Sequence, residues 1–126
     1  MSCGSHVMVD IKNFFIDSKT NAFELMTLAR GSIIFNSTLR IVGSKLVIFD
    51  GLVSEEDFTF VLLLDASHFS FHYYEKQGIC AIDCFTCGIN NPEIILDDYL
   101  IHLKNIQPNL KITKKYFVSR FNINEG

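Results

Sequence analysis

The densest run of reactive side chains lies between Ser67 and Gly88. It reads Ser67-His68-Phe69-Ser70-Phe71-His72-Tyr73-Tyr74-Glu75, a turn, then Cys80-Ala81-Ile82-Asp83-Cys84-Phe85-Thr86-Cys87-Gly88. As a strand, the first part puts His68, Ser70 and His72 on one face. A solvated or hydrogen-bonded surface has the same pattern. A serine–histidine hydrolase pair fits the residue types, but no nucleophile elbow or oxyanion-hole motif accompanies it. Cys80, Cys84 and Cys87 suggest a metal, and strand parity opposes one: Cys80 and Cys84 face one side, Cys87 the other. A zinc knuckle would also want a Gly or Pro turn inside the cluster and a second ligand pair. No metal is expected.

The elements that must hold this segment follow from periodicity and turn chemistry. Val7 to Ile11 alternates as a strand, with His6 and Asp10 near its ends. Asn21 to Val42 reads as a helix, with Phe23, Met26, Ile33, Ile34, Ser37 and Ile41 roughly on one side. Gly31 weakens it and leaves open a shorter helix with a strand at Ser32 to Phe35. Ser44 to Phe49 is a strand and Asp50-Gly51 a turn. Glu55-Glu56-Asp57 leads into the apolar strand Phe58 to Leu64. Asp65-Ala66 breaks it before the strand Ser67 to Glu75; Lys76-Gln77-Gly78 turns into the strand Ile79 to Thr86. Asn91-Pro92-Glu93 opens a helix with a capping side chain, a proline at the first position and an acid at the positive end. That helix runs to about Asn105 and buries Ile95, Leu96, Tyr99, Leu100, Leu103 and Ile106. Pro108 stops it, and Leu110 to Val118 is a last strand. The expected fold is α+β, a two-layer sandwich of an antiparallel sheet with both helices on one face.

The chain has 126 residues, enough for a single domain spanning 1–126 with a core that needs no staples. Hydrophobic residues are 48% and charged ones 20%, a globular composition, and twelve Phe with no Trp point to a benzyl-rich core. Net charge is -3 with dispersed cations, so nucleic acid is not an expected partner. Apolar runs such as Phe60 to Leu64 are too short to cross a bilayer, and Met1 to Asp10 lacks a signal-peptide pattern. A cytoplasmic protein is expected, with Cys3, Cys80, Cys84 and Cys87 as reduced thiols.

The segment from Ser67 to Gly88 resembles the processing and catalytic region of the short prokaryotic S-adenosylmethionine decarboxylase proenzymes. That family runs Glu-Ser-His, an alternating stretch ending in His, an aromatic-Pro-Glu turn, then Phe-Thr-Cys-Gly. Ser67-His68, His72, Glu75 and Phe85-Thr86-Cys87-Gly88 match at the same spacing. Gly4 and His6 before the first strand resemble the family's opening Gly-x-His.

The resemblance implies autocatalytic serinolysis. The Ser67 hydroxyl would attack the Ala66 carbonyl, and elimination and hydrolysis would leave a pyruvoyl group, the self-generated cofactor, at the start of an α chain 67–126, with 1–66 as the β chain. His72 takes the place of the processing histidine, and Thr59 keeps a hydroxyl where the family has a helper serine. The pyruvoyl ketone would form a Schiff base with the substrate amine and act as an electron sink as carbon dioxide leaves. Cys87 matches the proton donor; a thiol, with an ordinary pKa near 8.5, can supply a proton at neutral pH. Cys80 and Cys84 are core residues in this scheme. A homodimer of processed protomers is implied, with sites in some members completed across the interface. Decarboxylated S-adenosylmethionine would serve as aminopropyl donor for spermidine synthesis.

Two departures stand out. Ala66, preceded by Asp65, occupies the position of the family's Glu. The family's Phe-x-Pro-x-Gly-Val-Ser-Gly loop, whose aromatic stacks on adenine, is replaced by Leu52-Val53-Ser54-Glu55-Glu56-Asp57-Phe58-Thr59, leaving Phe49 as a substitute substrate contact. The acidic run also suits a cationic amine, so ornithine or arginine is the alternative substrate, and an unprocessed regulatory homologue the alternative role. Ser67 and His72 have opposite parity, which places Ser67 in the turn rather than in the ladder.

Overall fold

The computed structural model describes residues 4–17, 20–49 and 57–121. Strand β1 (Gly4–Lys12) is followed by helix α1 (Ala22–Asn36), then β2 (Ile41–Phe49), β3 (Asp57–Leu64), β4 (Ser67–Tyr74) and β5 (Ile79–Cys87). Helix α2 (Pro92–Ile106) and strand β6 (Lys111–Arg120) complete the fold. The six strands form one sheet in the order β2-β3-β4-β5-β1-β6, and every neighbouring pair is antiparallel. This is the expected α+β class.

Alternation decides which face the helices cover. Phe58, Phe60, Leu62 and Leu64 of β3, Phe69, Phe71 and Tyr73 of β4, Cys80, Ile82 and Cys84 of β5, and Val7, Val9 and Ile11 of β1 are all buried toward them. The benzyl-rich core takes the form of a stack: the Phe60 and Phe71 rings lie parallel at 5.1 Å, and Tyr99 of α2 meets Phe69 edge-on at 5.2 Å. Tyr99 is fully buried, and its hydroxyl donates to the Leu25 carbonyl of α1 at 3.0 Å, so the one polar atom it carries inward is satisfied. Burial pushes its pKa well up, which keeps it a donor.

Helix α2 begins as its sequence requires, with Asn91 accepting from the Glu93 amide at 2.9 Å and Pro92 in the first turn. Ile95, Leu96, Tyr99, Leu100 and Leu103 are buried, with Ile106 packed at the margin. Helix α1 differs from its expected extent. It ends at Asn36, and Ile41 and Val42 belong to β2. Asn36 and Ser37 turn their side chains back onto the Ser32 and Ile33 carbonyls, at 2.8 and 2.7 Å, and Ser37 is extended. Gly31 stays within the helix. The buried stripe is Leu25, Met26, Ala29, Ser32 and Ile33, whereas Phe23 and Ile34 point outward.

The opposite face of the sheet carries no helix. Met8, Val61, Leu63, Phe85, Tyr116 and Val118 fall on its parity, interleaved with His6, Asp83, His68 and His72. Among the described residues, no helix is long and apolar enough to cross a membrane.

Candidate active site

Ser67 is the first ladder residue of β4, paired with Leu64, so only Asp65 and Ala66 form the turn. This corrects the expectation that Ser67 lies outside the ladder. Ser67 is nearly closed to water at 8% exposure, and its hydroxyl accepts a hydrogen bond from the Cys87 amide at 3.0 Å. A donor aimed at this oxygen favours any negative charge that develops on it. Cys87 itself is half-buried and on the open-face parity, while Cys80 and Cys84 face the helices. Burial pushes the Cys80 thiol well up and the Cys84 thiol up to about 12, so neither is a working nucleophile.

The bond before Ser67 sits in a constrained turn. Ala66 has φ of 49°, in the left-handed region, where a Cβ costs on the order of 1–3 kcal/mol. The turn is held from the side by Arg40, whose Nε and Nη2 donate to the Asp65 carboxylate at 3.0 and 3.2 Å. The Arg40 amide donates to the same carboxylate, and the Asp65 amide returns a bond to the Arg40 carbonyl, both at 3.2 Å. The guanidinium holds the Asp65 carboxyl below the usual carboxylate range. Sequence reading registered Asp65 only as a break; Arg40, 25 residues earlier, gives no local signal.

His72 stands elsewhere. It pairs with Thr59 across β3 and β4, and Thr59 Oγ1 lies 2.8 Å from His72 Nδ1. The two expected processing side chains are therefore together, oriented by one hydrogen bond. Ser67 is five positions back along β4, about 17 Å at the ordinary rise per residue, and of opposite parity. Within one chain the structure brings Ser67 to Cys87 and Thr59 to His72, and keeps the two pairs apart. Phe49 ends β2 on the open-face parity opposite Asp57, on the Thr59 side. Asp57 accepts from the Glu75 amide at 2.8 Å, serving the fold locally. Leu52, Val53, Ser54, Glu55 and Glu56 lie outside the described residues.

Between the two pairs is a group that sequence reading missed. His6 Nε2 lies 3.2 Å from Asp83 Oδ1, and the His6 ring meets His68 edge-on at 6.1 Å. His68 stacks on Phe85 at 5.9 Å. Burial, reinforced by the neighbouring His6, lowers the His68 pKa, and Asp83 opposes this in part. These surroundings favour the neutral form of His68, which follows Ser67 in β4. The available signal was His6 on β1, which register alone brings to Phe85 of β5, next to Asp83.

The description S-adenosylmethionine decarboxylase fits the family model that matches residues 5–115, nearly the whole chain. The chain belongs to the S-adenosylmethionine decarboxylase family. An S-adenosylmethionine decarboxylase proenzyme of Symbiobacterium thermophilum is 31% identical over 97 residues, 77% of this chain and 70% of that protein. Shorter matches join it to proenzymes of Brevibacillus brevis, 37% identical over 62 residues, and Bacillus cereus, 39% over 56 residues. These cover 49% and 40% of this chain and less than half of each relative, 45% and 46%. The crystal structure of the adenosylmethionine decarboxylase from Aquifex aeolicus shares the fold, with a TM-score of 0.63 at 21% identity, over 93% of this chain and 88% of that one. The family model thus spans the segments that carry both side-chain pairs.

Proposed function

We propose that this chain is a proenzyme that cuts itself between Ala66 and Ser67, carries the resulting pyruvoyl group, and decarboxylates S-adenosylmethionine to the aminopropyl donor used in spermidine synthesis. The observation that carries this is the buried Ser67 hydroxyl, held on the Cys87 amide directly after a left-handed Ala66. Ser67 Oγ attacks the Ala66 carbonyl carbon, the new C–O bond replaces the peptide C–N bond, and the freed nitrogen takes a proton. Loss of the Ser67 α-proton then expels the Ala66 carboxylate from Cβ. Water adds at the α-carbon and ammonia leaves, which gives the pyruvoyl group of 67–126 and a carboxylate end on 1–66.

The surroundings suit that group. Ser67 is nearly closed to water, the Cys87 amide points at its hydroxyl, and burial favours the neutral form of the neighbouring His68. When formed, it supplies a carbonyl that accepts electrons as carbon dioxide departs. Cys87 holds the proton that the remaining carbon centre needs. The free thiols Cys80, Cys84 and Cys87 accord with a cytoplasmic enzyme.

His72 and Thr59 act on Ser67 from a second copy. A separation of about 17 Å along one strand is too far for proton transfer, which needs hydrogen-bond reach. The helix-free face, with its exposed Leu63, Tyr116 and Val118, is the surface through which two sheets pair. Two-fold symmetry then sets the partner's Thr59–His72 end against each Cys87, whose amide reaches the Ser67 hydroxyl at the end of the ladder, in the reciprocal manner of an isologous contact. No support for a basic amino acid as substrate comes from Asp57, whose carboxylate already holds the Glu75 amide.

Intact-mass measurement followed by carbon dioxide release tests the proposal. The expected result is two fragments divided before Ser67 and release from S-adenosylmethionine in preference to ornithine and arginine. A chain that stays whole at 14.4 kDa after long incubation would instead make it a regulatory homologue.

A further inference from the structure

The residues around the Ala66–Ser67 bond are held from opposite directions. Strand order puts β3 and β2 on one flank of β4 and β5 on the other. From the β5 flank, the Cys87 amide fixes the Ser67 hydroxyl at 3.0 Å. From the β2 flank comes Arg40, the residue before that strand begins. The β2–β3 ladder closes at Ile41 and Leu64, and Arg40 carries it one step further, its carbonyl accepting from the Asp65 amide at 3.2 Å. In a regular antiparallel pair the Arg40 amide would return a bond to the Asp65 carbonyl. Here it goes to the Asp65 carboxylate instead, also at 3.2 Å, and the main chain leaves the ladder at this point. The guanidinium takes both oxygens of that carboxylate, at 3.0 and 3.2 Å, in a bidentate grip.

What the grip holds is a turn with an unfavourable residue in it. Leu64 pairs with Ser67, so Asp65 and Ala66 are the whole loop of a two-residue hairpin. Of the two, only Ala66 is left-handed, with φ of 49°, a conformation that glycine adopts freely and alanine does not. A released turn would relax toward the ordinary alanine conformations and carry the Ala66 carbonyl with it. The Arg40 and Asp65 side chains are 81% and 38% exposed, and an ion pair so open to water adds little to global stability. Its effect is local.

We propose that Arg40 is a positioning residue for self-cleavage, acting through Asp65 to hold Ala66 in the left-handed conformation from which the Ser67 hydroxyl attacks. This rests on the self-cleavage reading and adds a residue to it. In the step served, the bond from Ser67 Oγ to the Ala66 carbonyl carbon forms and the peptide C–N bond breaks. The hydroxyl proton ends on the freed nitrogen. Arg40 touches none of these atoms.

Fragment appearance over time, followed by intact mass, tests the assignment. Arg40→Ala is expected to slow cleavage by about tenfold or more, the effect of misplaced reacting groups. Its melting temperature, read in the uncut Ser67→Ala background, should hardly move. Combining Arg40→Ala with Asp65→Ala should cut no more slowly than either change alone, because the two act as one unit. Ala66→Gly makes the left-handed turn easy, so Arg40→Ala should cost little in that background. Cleavage of Arg40→Ala at the wild-type rate would overturn the proposal, and so would an equal loss with and without Ala66→Gly. Should Arg40→Ala unfold the chain, Asp65→Asn decides by the same comparison, since it keeps an acceptor oxygen and loses the charge. A wild-type chain that never cuts overturns the self-cleavage reading and this role with it. A wild-type chain that cuts, with variants that cut equally fast, overturns the positioning role alone.

Discussion

The Ser67 end and the Thr59 end of the sheet are built differently. At the Ser67 end a left-handed alanine, an ion-paired turn and a buried hydroxyl fix the backbone around one peptide bond. At the Thr59 end the described residues show no unusual backbone, and one 2.8 Å hydrogen bond orients the His72 imidazole. In the proposed scheme the first end is the reactant and the second moves protons. In that scheme neither end is complete without the other.

Substitutions at the two ends therefore have different signatures. His72→Ala is expected to slow cleavage most, by about 10²–10⁴, the usual contribution of a positioned acid–base group, read as fragment appearance over time. Cleavage near the wild-type rate would remove His72 from the proton path. Cys87→Ala acts after cleavage. Fragments should appear normally while carbon dioxide release falls by about 10² or turns to abortive products; unchanged turnover would break the assignment. Thr59→Val leaves His72 in place and removes its orienting partner, so a loss of about tenfold in cleavage rate is expected, equivalent to one hydrogen bond of roughly 1.4 kcal/mol.

A smaller effect belongs to the region between the ends. The His68 pKa is lowered in the folded chain, so the unfolded chain binds the proton more readily. His68 therefore opposes folding once pH falls below the unfolded value, near 6.5, with the loss complete below the folded one. Melting temperature should drop over that range, and less so in His68→Gln. An equal drop in both would remove His68 as the source.

Much of this was legible in the sequence because it is local. An apolar run marked β3, turn residues bounded β4 and β5, alternation sorted the faces of those two strands, and Asn91-Pro92-Glu93 marked the start of α2. Helix α1 was read too long because Ile41 continues its apolar spacing, while Asn36 and Ser37, which end it through side-chain bonds to carbonyls, look like ordinary helix-surface residues. At the site, resemblance pointed to Ser67, His72, Cys87 and Thr59; strand parity exposed the conflict between Ser67 and His72, but the expected remedy, Ser67 in the turn, is not what the ladder shows. Asp65 with Arg40 and His6 with Asp83 were not legible. Each pairs residues on different elements, and only strand order and register bring them together.

Sharing of the site between copies is tested most directly by co-expressing Ser67→Ala and His72→Ala chains, differently tagged, and isolating the mixed dimer. The His72→Ala chain keeps Ser67 and receives His72 from its partner, so it should be cut in the mixed dimer while remaining whole in its own homodimer. A His72→Ala chain that stays whole in the mixed dimer would contradict the account.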